Sequence, residues 1–224
     1  MTLNRATSVP PMVSKVAAQQ GEQWKVGAYL PLKDAAFARV MNPVRSDAAP
    51  PASWASIAGE GFVVDASTEW YGVADGRSDG RFDGRPDEGS LDPETARNLA
   101  RILRAHTTTP AECFFLVWEG YAGFRDDLLP AVMIELTPGR PMLVLSGDLD
   151  DGTESVEETP RSRTPQWWVP ADGAWLVGND IYGMSVYIAG TEEAIAEILS
   201  DETIEAYRAT PSTGIIAEEF GPDT

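Results

Sequence analysis

The sequence contains very little cysteine or histidine: one cysteine, Cys113, and one histidine, His106, among 224 residues. A single cysteine excludes an internal disulfide, and the two residues together supply too few soft ligands for a structural zinc site. No stretch approaches the roughly 20 apolar residues of a membrane span, and the N-terminal residues lack an apolar run of signal-peptide length. We therefore expect a cytoplasmic protein that does not engage a membrane.

The motifs that bind cofactors or activate nucleophiles are missing as well. The sequence has no G-x-G-x-x-G, P-loop, G-x-S-x-G, H-E-x-x-H or paired C-x-x-C pattern. His106 has no cysteine or serine motif to accompany it, so it is better explained as a residue in the last turn of a helix. The sequence thus predicts no cofactor, no metal and no catalytic residue, and it favours a protein that is not an enzyme.

Basic side chains are scarce, with 17 Lys and Arg residues against 35 Asp and Glu residues. Residues 111–224 alone carry 22 acidic and 5 basic groups. Such a surface repels phosphate backbones, which argues against nucleic acid as a partner, and it attracts basic proteins at low salt. Solubility alone is the other explanation of the acidity.

The sequence after position 112 has a pattern typical of β-strands. Short β-branched and aromatic runs, separated by Gly, Pro and Asp, predict five strands there: "CFFLVW", "AVMIEL", "PMLVLSG", "AWLVG" and "MSVYIAG". The short connections between the first three suggest an antiparallel meander. Strands clustered between helices predict a single α+β domain, with a mainly antiparallel sheet of about five or more strands and flanking helices.

Helix signals are clearest in "LDPETARNLARILRAHT", where Asp92 is a candidate cap and Pro93 suits the first helical position. "TEEAIAEILSD", with Thr191 as its cap, and "ETIEAYRA" predict two closing helices. "SWASIAG" predicts a helical turn capped by Ser53. "WKVGAYLPL" and "FARVMNPV" predict two short strands.

The predicted domain covers residues 24–208, between a loosely ordered N-terminal arm (1–23) and a C-terminal tail (209–224). A mobile loop is expected over residues 75–89, where Asp-Gly-Arg occurs three times. Neither this repeat nor the acidic run 148–158 has the ligand register of an EF-hand loop. Both are therefore interpreted as solvated surface segments without metal.

The segment 165–183 holds three of the tryptophans and two of the candidate carboxylates. Adjacent residues of a strand face opposite ways, so we expect Trp168 and Trp175 in the core and Trp167 to be the more exposed. Cys113, which opens an apolar strand without a neighbouring base, is expected to be buried and unreactive. The candidate binding surface consists of Trp118, Glu119, Trp167, Trp168, Asp172 and Asp180.

Several stretches resemble those of a bacterial protein family of about this length, in the same order along the chain: "FARVMNP", "HTTTP", "CFFLVWEGYAG" and "WWVPADGAWLVGNDI". The resemblance implies one conserved fold and carries over no activity or catalytic residue. Asn42 stands where the family pattern suggests a histidine, and the Asp-Gly-Arg repeat resembles an insertion.

Two functions compete on these grounds, beside a structural domain that has no ligand. The first is a non-catalytic acidic interaction protein, immunity-like or regulatory, that docks a basic partner protein. The second is a small-molecule-binding or hydrolytic domain whose pocket is lined by Trp118, Glu119, Trp168 and Asp180.

Overall fold

The computed structural model describes residues 2–21, 24–46, 49–75, 84–136, 139–159 and 162–216. Within these ranges the chain forms six α-helices and twelve strands. The helices are Pro11–Gln19 (α1), Val26–Tyr29 (α2), Trp54–Ile57 (α3), Trp70–Asp75 (α4), Pro93–Leu103 (α5) and Glu192–Ser200 (α6). The strands are Asn4–Arg5 (β1), Ala36–Met41 (β2), Val44–Ser46 (β3), Ala49–Ala52 (β4), Arg85–Pro86 (β5), Cys113–Trp118 (β6), Met133–Leu136 (β7), Arg140–Gly147 (β8), Trp167–Pro170 (β9), Leu176–Gly178 (β10), Ser185–Gly190 (β11) and Ala206–Ala209 (β12).

Nine of these strands form a large sheet in the order β1-β8-β6-β9-β10-β11-β2-β12, with β7 also paired to β8. The strands β4-β3-β5 form a small second sheet. All the pairings are antiparallel, which confirms the predicted α+β class. The predicted meander is wrong in its order. The long connection after Trp118 carries β7 past β6, so that β8 lies between them.

One face of the large sheet, here called the Trp168 face, is covered by α5 and α6. Its core joins Trp168 and Trp175 to Leu99 of α5 and Ile195 of α6. Both helices begin as the sequence predicts, because Asp92 accepts hydrogen bonds from the N–H groups of Glu94 and Thr95 and Thr191 accepts one from Ala194. The predicted burial of Trp168 and Trp175 is confirmed.

The opposite face, here called the Trp167 face, is also covered. Trp167 is only 1% exposed and packs with residues of α1 and α2. Its ring centroid lies 4.8 Å from that of Tyr29. The two adjacent tryptophans do point to opposite faces, but the prediction that Trp167 is the exposed one is wrong, because a second layer of chain covers its face.

Residues predicted to form a loose N-terminal arm supply much of that layer. β1 pairs with β8, Leu3 is 1% exposed, and Val13 and Val16 of α1 are buried. The arm is therefore packed through residue 21. The burial of these apolar side chains stabilises the packed arrangement of the arm.

The predicted C-terminal tail likewise begins as part of the fold. The N–H of Val26 donates to the carbonyl of Thr213 at 2.9 Å, and the N–H of Ile215 donates to the carbonyl of Trp24 at 3.2 Å. Residues 209–216 are thus tied to the start of α2, and the rest of the predicted tail lies outside the described residues.

Two segments take the opposite secondary structure from the predicted one. "WKVGAYLPL" contains the short helix α2 and not a strand, because Val26 and Tyr29, three residues apart, both turn towards the Trp167 face. "ETIEAYRA" contains the strand β12 and not a helix, because it pairs with the edge of β2 from Ala206 to Ala209. In both cases tertiary packing overrides a weak local preference.

The predicted mobile loop 75–89 falls mainly on residues 76–83, which lie outside the described residues. Its last part is ordered, since Arg85 and Pro86 pair with β3 and the N–H of Gly89 donates to the carbonyl of Gly183 at 2.9 Å. Among the helices that the structure describes, none is both long and apolar enough to cross a bilayer.

Candidate functional site

Four of the six predicted binding residues meet at one end of the large sheet. β6 ends at Trp118, followed by Glu119, while the antiparallel β9 begins at Trp167. β10 runs back to the same end, where Asp180 follows it. We call this region the polar end, because buried polar side chains gather there.

The other two predicted residues lie elsewhere. Trp168 is fully buried on the opposite face, where its indole N–H donates to the carbonyl of Pro165 at 3.0 Å. Asp172 lies at the other end of the sheet. The predicted residues therefore do not form one common surface.

The carboxylate of Asp172 is already used within the protein. It accepts hydrogen bonds from the main-chain N–H of Thr108 at 2.7 Å, the hydroxyl of Thr107 at 2.9 Å and the N–H of Ala174 at 3.0 Å. Burial alone raises the pKa of Asp172, but these hydrogen bonds outweigh it and hold the pKa below its ordinary value. The residue fastens the "HTTTP" turn to the loop after β9.

A small polar cavity lies beneath the surface of the polar end. Tyr29, Arg140, Gln166, Asn179 and Asp180 line it, and its volume is about 10 Å³. The hydroxyl of Tyr29 donates to the carbonyl of Asn179 at 2.7 Å. Burial, and secondly the charge of Asp180, raise the pKa of Tyr29 well above its ordinary value, so this hydroxyl stays a neutral donor.

Aromatic rings and guanidinium groups close the polar end towards solvent. The Arg140 guanidinium lies 5.9 Å from the ring centroid of Trp118 and 5.8 Å from that of Tyr182. Trp118 packs edge-on against Tyr121 at 5.2 Å, and the Arg163 guanidinium lies 3.8 Å from the Tyr121 ring. These contacts fill the space in which a ligand would have to lie.

The pocket predicted as the alternative site is therefore not formed by its predicted residues. A site for a small molecule needs roughly 300–1,000 Å³, whereas Asp180 and Trp167 border a cavity of about 10 Å³. Trp168, the fourth wall of the predicted pocket, lies across the sheet. The polar end is a packed structural junction.

Asn42, which stands where the resembled family suggests a histidine, is part of a second structural junction. Its amide N–H group donates to the carbonyls of Asp87 at 2.7 Å and Ser90 at 2.8 Å. Its amide oxygen accepts from the N–H of Asp92 at 2.8 Å. Asn42 thereby positions the cap of α5, a task that needs a donor and an acceptor at once.

The acidic run 148–158 also serves the fold. Asp148 pairs with Arg104, Asp151 completes a capping box with Asp148, and Glu157 pairs with Arg163 at 2.9 Å. In the described ranges, no group of three or more Cys, His, Asp or Glu side chains is arranged to hold a metal ion.

A larger concave surface lies elsewhere, beside β12. This edge groove has a volume of about 460 Å³. It is formed by β2, by the segment from β4 to α3, by α5 and by the chain that enters β12. Its lining residues are Met41, Pro43, Pro51, Ala52, Ser53, Ala55, Thr95, Glu202, Thr203, Ile204, Glu205 and Tyr207.

Glu205 shapes the edge groove. Its carboxylate accepts hydrogen bonds from the main-chain N–H of Trp54 at 2.6 Å and of Ala55 at 2.8 Å, and from the hydroxyl of Tyr207 at 2.9 Å. These bonds hold the first turn of α3 against the start of β12. The groove lies beside this junction, since Ala55 of α3, Glu205 and Tyr207 all line it.

The charge of the edge groove has one sign. Glu202 is exposed and Glu205 is half-buried, and none of the described residues that line the groove is lysine or arginine. A second depression of about 240 Å³ adjoins the other end of β12 and contains Asp34 and Glu192. Its one basic residue, Arg208, is held by Glu192 through hydrogen bonds of 2.6 and 3.0 Å.

Comparison of the chain with protein-family models, curated proteins and solved structures found no match. The resemblance to a bacterial family stays a prediction.

Sequence reasoning missed the edge groove because it predicted a helix over "ETIEAYRA". A signal of the strand was present, since Ile204 and Ala206 alternate with Glu205 and Tyr207 at the period of a strand. The first pair faces the core of α5 and α6, and Tyr207 faces the other side.

Cys113 is not part of any site. It is fully buried, as predicted. Burial, and secondly the charge of Asp148, raise the pKa of its thiol to about 12. The thiolate that would react is therefore scarce at neutral pH.

Proposed function

We propose that the protein is a non-catalytic interaction protein, immunity-like or regulatory, that docks a basic segment of a partner protein in the edge groove. The observation that carries the proposal is the lining of the groove, which combines two carboxylates with apolar walls and no basic side chain among the described residues. A basic segment would meet opposite charge there, and its aliphatic parts would lie against Pro43, Pro51 and Tyr207.

Long-range attraction supports the same partner. Residues 111–224 carry 22 acidic and 5 basic groups. Glu202, Glu205 and Tyr207, which line the groove, belong to this half of the chain. A field of this sign raises the rate at which a basic protein is captured at low salt. The groove then supplies the short-range contacts that select one segment.

The edge groove differs from the binding surface that was predicted from the sequence. Trp167 and Trp168 are fully packed, and Asp172 lies at the other end of the sheet, where it fastens the "HTTTP" turn. Trp118 is half-buried and Glu119 exposed, but Arg140 and Tyr121 fill the space around the Trp118 ring. The edge groove is larger than the cavity at the polar end, and its negative charge suits a basic partner.

Fluorescence anisotropy with a labelled peptide of about eight alternating lysine and threonine residues tests the proposal. We expect saturable binding that weakens as salt is added, and no binding of the peptide in which glutamate replaces lysine. Glu202→Lys should weaken binding strongly, because it places a positive charge in the groove.

The matched control is Glu135→Lys on β7, an exposed site at the far side of the large sheet. Both variants change the net charge equally, so a difference between them reports the groove itself. Equal weakening by the two variants, or equal binding of the lysine and glutamate peptides, would contradict the proposal. Thermal melts verify that both variants fold.

A further inference from the structure

The pairing of β12 decides which of its main-chain groups face outward. Among the described residues β12 pairs only with β2, from Ala206 opposite Val40 to Ala209 opposite Phe37. The N–H of Met41 donates to the carbonyl of Glu205 at 2.9 Å. Residues of an antiparallel strand bond to each side in alternation. Tyr207 and Ala209 therefore share the direction of Glu205, and the N–H and C=O groups of Ala206 and Arg208 point away from β2.

Within the described ranges, the outward side of β12 has little of the usual protection of an edge strand. Edge strands are commonly shielded by proline, by bulges or by charged side chains across the edge. β12 has no proline, and its pairing with β2 is regular. Its one charged side chain, Arg208, is tied to Glu192 at the start of α6.

The concave surfaces lie along the same strand. The edge groove includes Glu205 and Tyr207, and the second depression includes Arg208 and Ala209. Together they border three of the four residues of β12, Tyr207, Arg208 and Ala209. An extended segment fits such a surface better than a helix, which would reach only a few of these positions.

The charges identify the occupant. Glu202 and Glu205 at one end and Asp34 at the other favour a segment with basic side chains. A second copy of this chain would bring the same carboxylates, and a net charge of −18, against themselves. The complementary occupant is a basic partner.

We propose that the basic segment of the partner binds as an added strand of the large sheet, hydrogen-bonded to the main chain of Ala206 and Arg208, with its basic side chains towards Glu202 and Glu205. This inference rests on the proposed function, whose partner it defines as an extended chain with basic residues two positions apart. The main-chain bonds give affinity, and the carboxylates select charge and register.

Two N-methylated forms of the lysine–threonine peptide test whether it binds as an added strand. One form is methylated at every second residue, and the other is methylated at the residues between, so that the two represent complementary registers. Only one register presents its N–H groups to β12. We expect methylation in that register to weaken binding about fivefold or more, and methylation in the other to leave binding nearly unchanged. A helical or disordered mode of binding would not distinguish the two registers.

Ala206→Pro removes a main-chain N–H that points away from β2, so no hydrogen bond to β2 is lost. Proline is tolerated at such edge positions. Ala206→Ser keeps the N–H and serves as its control. We expect Ala206→Pro to weaken binding of the lysine–threonine peptide and Ala206→Ser to leave it nearly unchanged. Amide exchange followed by NMR provides a readout in the unchanged protein, where the peptide should slow exchange at Ala206 and Arg208 but not at Tyr207.

The outcomes separate this inference from the proposed function. Equal binding of the two methylated peptides, or no added protection at Ala206 and Arg208, would overturn strand addition. A difference between Glu202→Lys and Glu135→Lys would still support the edge groove as the binding site. If the unmodified lysine–threonine peptide does not bind, both proposals are wrong.

Discussion

The two faces of the large sheet are covered by helices of different kinds. On the Trp168 face, α5 and α6 begin at the capping residues Asp92 and Thr191 and carry acidic residues in their first turns. On the Trp167 face, α1 and α2 begin after Pro10 and Lys25, which contribute no side-chain cap. The comparison shows that a sheet face can be buried by segments with weak helix signals, because most helical stability comes from tertiary packing.

The strongest test of this comparison replaces the two adjacent tryptophans one at a time. We expect Trp167→Ala to cost about 3–5 kcal/mol of unfolding free energy, as Trp168→Ala does, because each leaves a large cavity in its own core. Denaturant melts followed by circular dichroism measure both values.

Trp24→Ala is the control, since Trp24 is 41% exposed. It should change the unfolding free energy by no more than about 0.5 kcal/mol. A Trp167→Ala variant as stable as Trp24→Ala would show that the second face is not a core.

A smaller effect is expected at the helix caps. Thr191→Ala should lower the unfolding free energy by about 0.5–2 kcal/mol, because the N–H of Ala194 loses its acceptor. Lys25→Ala at the start of α2 should change it by less than about 0.5 kcal/mol. Equal losses in denaturant melts of the two variants would remove the distinction between capped and uncapped helices.

The smallest expected effect depends on pH and belongs to the Trp168 face. Arg104, directly after α5, forms an ion pair with Asp148. Burial raises the pKa of Asp148, but the hydrogen bond from Arg104 and that from the N–H of Asp150 outweigh it, so the pKa lies below its ordinary value. A lowered folded-state pKa contributes stability above the unfolded pKa, near 3.9. That contribution is lost as the pH falls through the folded value.

We therefore expect Asp148→Asn to be less stable than the original protein by up to about 1 kcal/mol at neutral pH. The difference should stay constant down to about pH 5 and shrink below about pH 4. Thermal melts across this range provide the measurement, with Glu193→Gln on the exposed side of α6 as the control. A difference that grows on acidification would contradict the assignment.

Local signals predicted the Trp168 face well. Asp92, Pro93 and Thr191 mark helix starts that depend only on neighbouring residues, and the strands of the C-terminal half are bounded by turn residues. Local signals are weaker on the Trp167 face, because α2 has four residues and no cap and α1 has only a proline at its first position. Its burial follows from contacts distant in sequence, such as the hydrogen bond from Tyr29 to the carbonyl of Asn179.

The candidate site was harder to predict than the fold. The sequence predicted one binding surface from six residues, of which the structure brings Trp118, Glu119, Trp167 and Asp180 to one end of the sheet. No local pattern shows that Arg140 and Tyr121 fill the space around the Trp118 ring. The edge groove depends on Glu205 reaching the first turn of α3, across a sequence separation of 151 residues for Trp54. No periodicity in one segment encodes such a contact.

The position of β2 in the sheet has a consequence for the order of folding. β2 lies between β11 and β12, and its Arg39 donates to Ser185, 146 residues further along the chain. During synthesis the apolar strand "AFARVM" therefore emerges long before either neighbour exists. Such non-local pairing slows folding and leaves both edges of the waiting strand open to aggregation. A chain cut short before Ser185 would therefore contain β2 without either neighbour, with both of its edges open to pairing with another molecule.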